Sequence, residues 1–131
     1  MDRRTYLKTV ALAGAARALP AAAAAAQPIQ LHVDLDVDPA HEPDLMTNYR
    51  TKFRPEIMKQ PGFVEVKLMK LESAPAGKAP PNVSYRLLLS FHTEDQRKAW
   101  VATPEHQKVW PTIQQTLRGP NVNAVLFQVV G

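Results

Sequence analysis

Apolar and polar side chains alternate from Ile29 onward. Ile29, Leu31, Val33, Leu35 and Val37 face one way; Gln30, His32, Asp34, Asp36 and Asp38 face the other. A period of two over this length predicts a half-buried strand. Asp38-Pro39 ends it, supplying a helix cap and a residue whose φ is preset for a first helical turn. The spacing then lengthens to four. Leu45, Tyr49, Phe53 and Ile57, with Met46 beside them, form the core-facing stripe of a helix from about Ala40 to Gln60. Pro55 is expected to kink it near Lys52–Arg54, and Pro61-Gly62 to stop it.

Alternation returns from Phe63 to Leu71, with Val64, Val66 and Leu68 on one face and Glu65, Lys67 and Met69 on the other. Glu72–Asn82 (ESAPAGKAPPN) has no core residue and is long for a hairpin connection, which predicts a mobile loop, a lid or a contact arm. Val83–Phe91 is a third strand: Val83, Tyr85, Leu87, Leu89 and Phe91 oppose Ser84, Arg86, Leu88 and Ser90. Thr93-Glu94-Asp95-Gln96 has the form of a capping box opening a second helix. Thr103-Pro104-Glu105 is a second start, so the segment is a helix, a corner and another helix, disturbed again at Pro111 and ended by Gly119-Pro120. Asn121–Val130 is a last strand with two apolar faces, which predicts an interior position or a covered edge.

The order β-α-β-β-α-β is the ferredoxin-like α+β arrangement, one sheet with both helices on one face. The other face is then bare, with His32, Asp34, Glu65, Lys67, Arg86, Val125 and Phe127 among its members. A second copy of the chain would cover that face and supply burial that a domain of this size lacks, so a homodimer is expected.

Composition changes this picture mainly at the N-terminus. Residues 1–26 hold Arg3, Arg4, Lys8 and Arg17 against Asp2, whereas the remainder is nearly balanced, with 12 basic and 11 acidic side chains. The excess positive charge thus belongs to the leader, and no basic patch points to nucleic acid. A charged start, an Ala/Leu/Val stretch and a run of small residues follow the order of a signal peptide. Arg3-Arg4-x-Tyr6-Leu7-Lys8 resembles the twin-arginine motif, with Tyr6 in the usual Phe position. That resemblance implies export in a folded state to the periplasm or beyond, cleavage within Ala21–Ala26 and a mature domain of residues 27–131, with no membrane anchor left. There is no cysteine, so neither a disulfide framework nor thiolate chemistry is available.

Three local patterns carry a second resemblance: Gln60-Pro61-Gly62-Phe63, Ser90-Phe91-His92-Thr93-Glu94-Asp95, and Trp100-x-x-x-Pro104-Glu105-His106. Together with the element order, they make residues 29–130 similar to the antibiotic biosynthesis monooxygenase domain, a dimeric α/β barrel. The resemblance implies oxygenation of phenolic or quinol-like aromatics by O₂, without metal or flavin, in a site between sheet and helices. Trp100 matches the tryptophan on the pocket's helix, Gln96 a position often held by Asn, and His106 a position held by Tyr or His. Haem-degrading relatives carry an iron-binding His where Trp110 stands here, and the first strand lacks their Asn, so haem is not expected.

Other residues have a bland reading beside a functional one. Trp100 is equally a core tryptophan, and His106 a surface histidine near a helix start, where the neutral ring is favoured. His32, Asp34 and Asp36 share a strand face, but an ion-pair layer with Lys67 and Arg86 explains them better than a metal site. Arg86 pairs with Asp34 or Glu65, or binds an anionic substrate group. Tyr49, Phe53, Tyr85 and Phe91 are expected on the helix-facing side, lining an aromatic cleft with Trp100. Two functions fit: a cofactor-free oxygenase with His106 as base, Trp100 and Gln96 as wall and Arg86 as charge stabiliser, or an exported small-molecule-binding or stress-response domain using the same cleft.

Overall fold

A computed structural model of the protein describes residues 28–131. The export segment expected over residues 1–26 lies outside them. Four strands, β1 (Ile29–Leu35), β2 (Phe63–Lys70), β3 (Tyr85–Phe91) and β4 (Asn123–Gln128), form one antiparallel sheet in the order β2-β3-β1-β4. This is the ferredoxin-like order, with the first and third strands at the centre. Register is fixed by pairs such as Val33 with Leu87 and Ala124, and Asp34 with Arg86 and Asn123. Because paired residues project to the same face, the helix-facing side is apolar and the other side carries Gln30, His32, Asp34, Arg86, Leu88, Val125 and Phe127.

The first helical segment is not one α-helix. A 3₁₀ turn at Pro39–His41, capped by Asp38 Oδ1 accepting from Ala40 N at 3.0 Å, leads into α1 (Glu42–Asn48). A π-helical turn spans Tyr49–Phe53, and α2 is the short run Arg54–Ile57. Pro55 has no N–H for the Thr51 carbonyl, and its ring would crowd that carbonyl in a regular helix; the wider turn relieves the conflict. The kink expected before Pro55 is therefore a change of helical pitch. It still delivers Leu45, Tyr49, Phe53 and Ile57 to the core. Phe53 and Ile57 are essentially inaccessible, and each such side chain contributes about 1.5–3 kcal/mol through burial.

Three other expectations need correction, and a fourth, for the last strand, is narrowed. A bulge between Phe63 and Glu65 puts Val64 outside the alternation, and it is exposed; Phe63 takes the core position, edge-on to Phe91 at 6.3 Å. The third strand begins at Tyr85 rather than Val83, and the helix through Pro111 runs unbroken from Pro104 to Gln114. The last strand is an outer one: β4 closes the sheet edge, and within a single protomer all six of its residues are exposed.

The Gln60–Phe63 turn depends on Gly62, whose φ is +81°. Its carbonyl accepts from His92 N at 2.8 Å, tying the turn to the end of β3. A Cβ there would collide with the Gln96 side-chain amide. Gly62→Ala is expected to cost about 1–2 kcal/mol, from the left-handed backbone alone, in urea denaturation. Gly77, also left-handed but with no atom within 4 Å of a Cβ, lies in the exposed loop and should cost less. Equal midpoints for Gly62→Ala and the parent would overturn this account of the turn.

Candidate functional site

The broken helix consists of α3 (Glu94–Val101) and α4 (Pro104–Gln114). Thr93 caps α3, its Oγ1 accepting from Gln96 N at 3.1 Å. At the corner, Thr103 Oγ1 donates to the Trp100 carbonyl at 2.7 Å and accepts from His106 N at 3.1 Å. One hydroxyl thus closes the first helix and opens the second. Trp100 is 1% exposed, edge-on to Phe53 at 6.0 Å on one side and to His106 at 5.0 Å on the other. The His106 ring lies nearly parallel to Trp110, 14° between planes and 6.3 Å between centroids.

These rings wall a cleft of about 210 Å³ between the broken helix and the sheet. Its floor is Leu31, Val33, Leu87, Leu89 and Ala124, with Val122 at the entry to β4; Phe53, Trp100, Val101 and Trp110 complete its apolar lining. Among the described residues only two polar side chains reach it, His106 and Arg97. An apolar cavity of about 150 Å³ holds benzene, so the space suits a small flat ring system.

Burial, and then the nearby positive charge of Arg97, push the His106 imidazole below its ordinary pKa of 6.5. Nδ1 is buried without a hydrogen-bond partner among the described residues. The ring is therefore neutral at physiological pH with an unengaged nitrogen. Arg97 is fixed by Glu94 through two bonds of 2.7 Å, from Nε and Nη2. Pairing holds the Glu94 carboxyl below the usual carboxylate range and raises Arg97 further.

Of the expected site residues, the structure brings Trp100, His106 and Phe53 together at this cleft. The others lie elsewhere. The Gln96 side chain turns to the opposite side, against Gly62, so it neither lines the cleft nor closes the capping box. Arg86 is on the bare face, where its Nε donates to Asp34 Oδ1 at 2.6 Å. Strand alternation forces this, since the cleft floor uses Leu87 and Leu89. Tyr85 is on the helix-facing side but at the far end of β3; its hydroxyl donates to Glu42 Oε2 at 2.6 Å, and Lys70 pairs with the same carboxylate oxygen. Tyr49 stacks behind Phe53 at 6.4 Å, and Phe91 is buried beside Phe63. Loop residues Glu72–Asn82 contribute nothing to the cleft; part of the loop borders a separate groove beside Met69 and Leu71. His32, Asp34 and Asp36 do not gather: their side chains engage Gln30, Arg86 and Arg118 respectively.

Arg97 escaped the sequence-based expectations although a signal existed. It stands three residues before Trp100, hence on the same helix face, and three after Glu94, at ion-pair spacing. Trp110 was equally reachable, four residues after His106 on α4.

No protein-family model and no curated protein sequence matches the chain. Solved structures do match. A candidate antibiotic biosynthesis monooxygenase from Bordetella bronchiseptica superposes with a TM-score of 0.65 at 21% identity, covering 79% of this chain and 98% of that one. A variant of SnoaB, a cofactor-independent oxygenase from Streptomyces nogalater, gives 0.60 at 16% identity, covering 79% and 93%. A dimeric ferredoxin-like protein from Jannaschia gives 0.65 at 15% identity, covering 78% and 99%. What is shared is the fold. At these identities the likeness extends to the ferredoxin-like architecture and leaves the chemistry to the residues in the cleft.

The cleft predicts a titration. Because His106 binds its proton less readily folded than unfolded, the unfolded chain takes up more protons below pH 6.5. Stability should therefore fall as pH drops from 6.5 to the lower native pKa, and level off beneath it. His106 resonances followed by NMR should show a midpoint below 6.5; a midpoint at or above it would contradict the buried, Arg97-facing environment.

Proposed function

We propose that the protein is a cofactor-independent oxygenase of a small electron-rich aromatic. The observation that carries this is an aromatic-walled apolar cleft reached by the neutral ring of His106. A phenol stacked there would lose its proton to His106. The phenolate then passes an electron to O₂, and recombination gives a ring-bound peroxide. Loss of water leaves a carbonyl on the ring. One oxygen atom enters the product and the other leaves as water with the phenolic and ring hydrogens, so no outside reductant is required. Trp100 and Phe53 hold the ring plane, and the apolar floor keeps bulk water from the intermediate. The oxygenase described among the structural neighbours supports this choice over other chemistries of the fold.

Oxygen uptake with a panel of quinols and naphthols, measured above autoxidation, tests the proposal. His106→Ala should lower kcat/KM by about a hundredfold or more, and Trp100→Phe by less. Uptake unchanged by His106→Ala would overturn it. Ligand-induced thermal stabilisation without any uptake would favour a binding domain that uses the same cleft.

We also infer that two copies pair through the bare face of the sheet. Phe127 and Val125 are exposed there beside Leu88, with the Asp34–Arg86 ion pair between strands. His32 packs edge-on to Phe127 at 4.9 Å, extending the apolar strip inward. The dimeric neighbour supports pairing of two copies. Light scattering should give twice the protomer mass at micromolar concentration, and Phe127→Asp should shift it toward the monomer. A monomeric parent protein would refute it.

A further inference from the structure

The chemistry of the cleft extends to selection by charge. We propose that Arg97 is a specificity-determining residue and that the cleft selects aromatic ligands carrying an anionic oxygen on the ring, carboxylate or phenolate, over neutral ones. This rests on the ligand-binding role of the cleft proposed above, but not on turnover.

Arg97 and His106 are the only polar side chains among the twelve residues lining the cleft. His106 is uncharged, so the guanidinium is the one charge that a ligand meets. It is largely sheltered, its side chain 18% exposed, and apart from the uncharged His106 the walls are apolar. Screening by water is therefore weaker there than on an open surface.

Glu94 does not use up the guanidinium. Arginine has five N–H donors in a planar fork. The pair with Glu94 engages Nε and one hydrogen of Nη2. Three N–H groups remain, and Nη1 has no acceptor among the described residues. Glu94 instead holds the fork in one orientation, so a ligand does not have to order it on binding. It also offsets part of the charge, which keeps an empty apolar cleft from confining an unpaired cation.

The apolar floor accepts the ring and Arg97 the anionic substituent. A neutral isostere of the same shape keeps the stacking and forfeits the charge-assisted hydrogen bond. For a phenol, the same cation favours the ionised form, which is the form that passes an electron to O₂.

Tryptophan fluorescence titrations with 2-naphthoate and its neutral isostere 2-naphthylmethanol test the selection, with 4-nitrophenol, whose visible absorbance reports ionisation, as a phenolic arm. The naphthoate should bind the parent protein about tenfold or more tightly than the alcohol, or bound 4-nitrophenol should ionise at lower pH than free. Preference for the carboxylate alone identifies ring acids as the class, and preference for the phenolate alone identifies phenols. Arg97→Gln should abolish the preference while retaining alcohol binding. Glu94→Gln, which leaves Arg97 in place, should strengthen it, a result that loss of folding cannot mimic. Equal affinities for acid and alcohol with no change in 4-nitrophenol ionisation, a preference that survives Arg97→Gln, or no saturable binding by any of the three probes would overturn the proposal. Failure of oxygen uptake alone would leave it standing.

Discussion

The site depends on one hydroxyl. Thr103 Oγ1 bonds backward to the Trp100 carbonyl and accepts from the amide of His106. Without it, the His106 amide would lose its partner, and the corner would rest on the Thr103 amide at the Trp100 carbonyl and on Gln107 Nε2 at the Val101 carbonyl. With it, the indole and the imidazole are held as neighbours although they belong to different helices. Pro104 sets the entry to α4 through its fixed φ, and it needs no partner for an N–H that it lacks. The edge-to-face contact between Trp100 and His106 stems from that corner, while the stacking on Trp110 comes from the four-residue spacing within α4.

Most of the fold was legible because alternation and stripe spacing are local. The strand pairs Val33/Leu87 and Asp34/Arg86 place side chains on the faces that a period of two assigns them. Departures came where a local rule met a non-local one. Val64 fits the alternation of its own strand, yet the bulge that lets Phe63 reach Phe91 turns it outward. β4 has apolar residues on both faces, which fitted an interior position or a covered edge, and the order of the sheet decides for the edge.

The site was legible only in part, and the misses share a cause. Tyr49, Tyr85 and Phe91 lie on the helix-facing side as their periodicity requires, but a period gives a face and not a position along it. Tyr85 is carried to the far end of β3 and Phe91 to the near end, so Leu87 and Leu89 between them form the floor. Arg86 stands out in the sequence as a charge in mid-strand; its neighbour across the sheet, Asp34, satisfies it on the bare face. Gln96 and Arg97 differ by one position on a helix. That step of about 100° separates the side chain against Gly62 from the one in the cleft.

The widened turn at Tyr49–Phe53 has a consequence for how this chain tolerates insertion and deletion. A π-turn is a helix with one residue too many, so its length is a phase adjustment between α1 and α2. Phe53 stands at the end of that adjustment, where it meets Trp100. Losing a single residue of the turn would press the backbone toward regular α-helical pitch, in which the carbonyl four positions before Pro55 again meets the proline ring. The aromatic wall opposite the indole is thus set by a residue count, and the chemistry of the exposed Arg50, Thr51 and Lys52 is free to drift so long as their number does not.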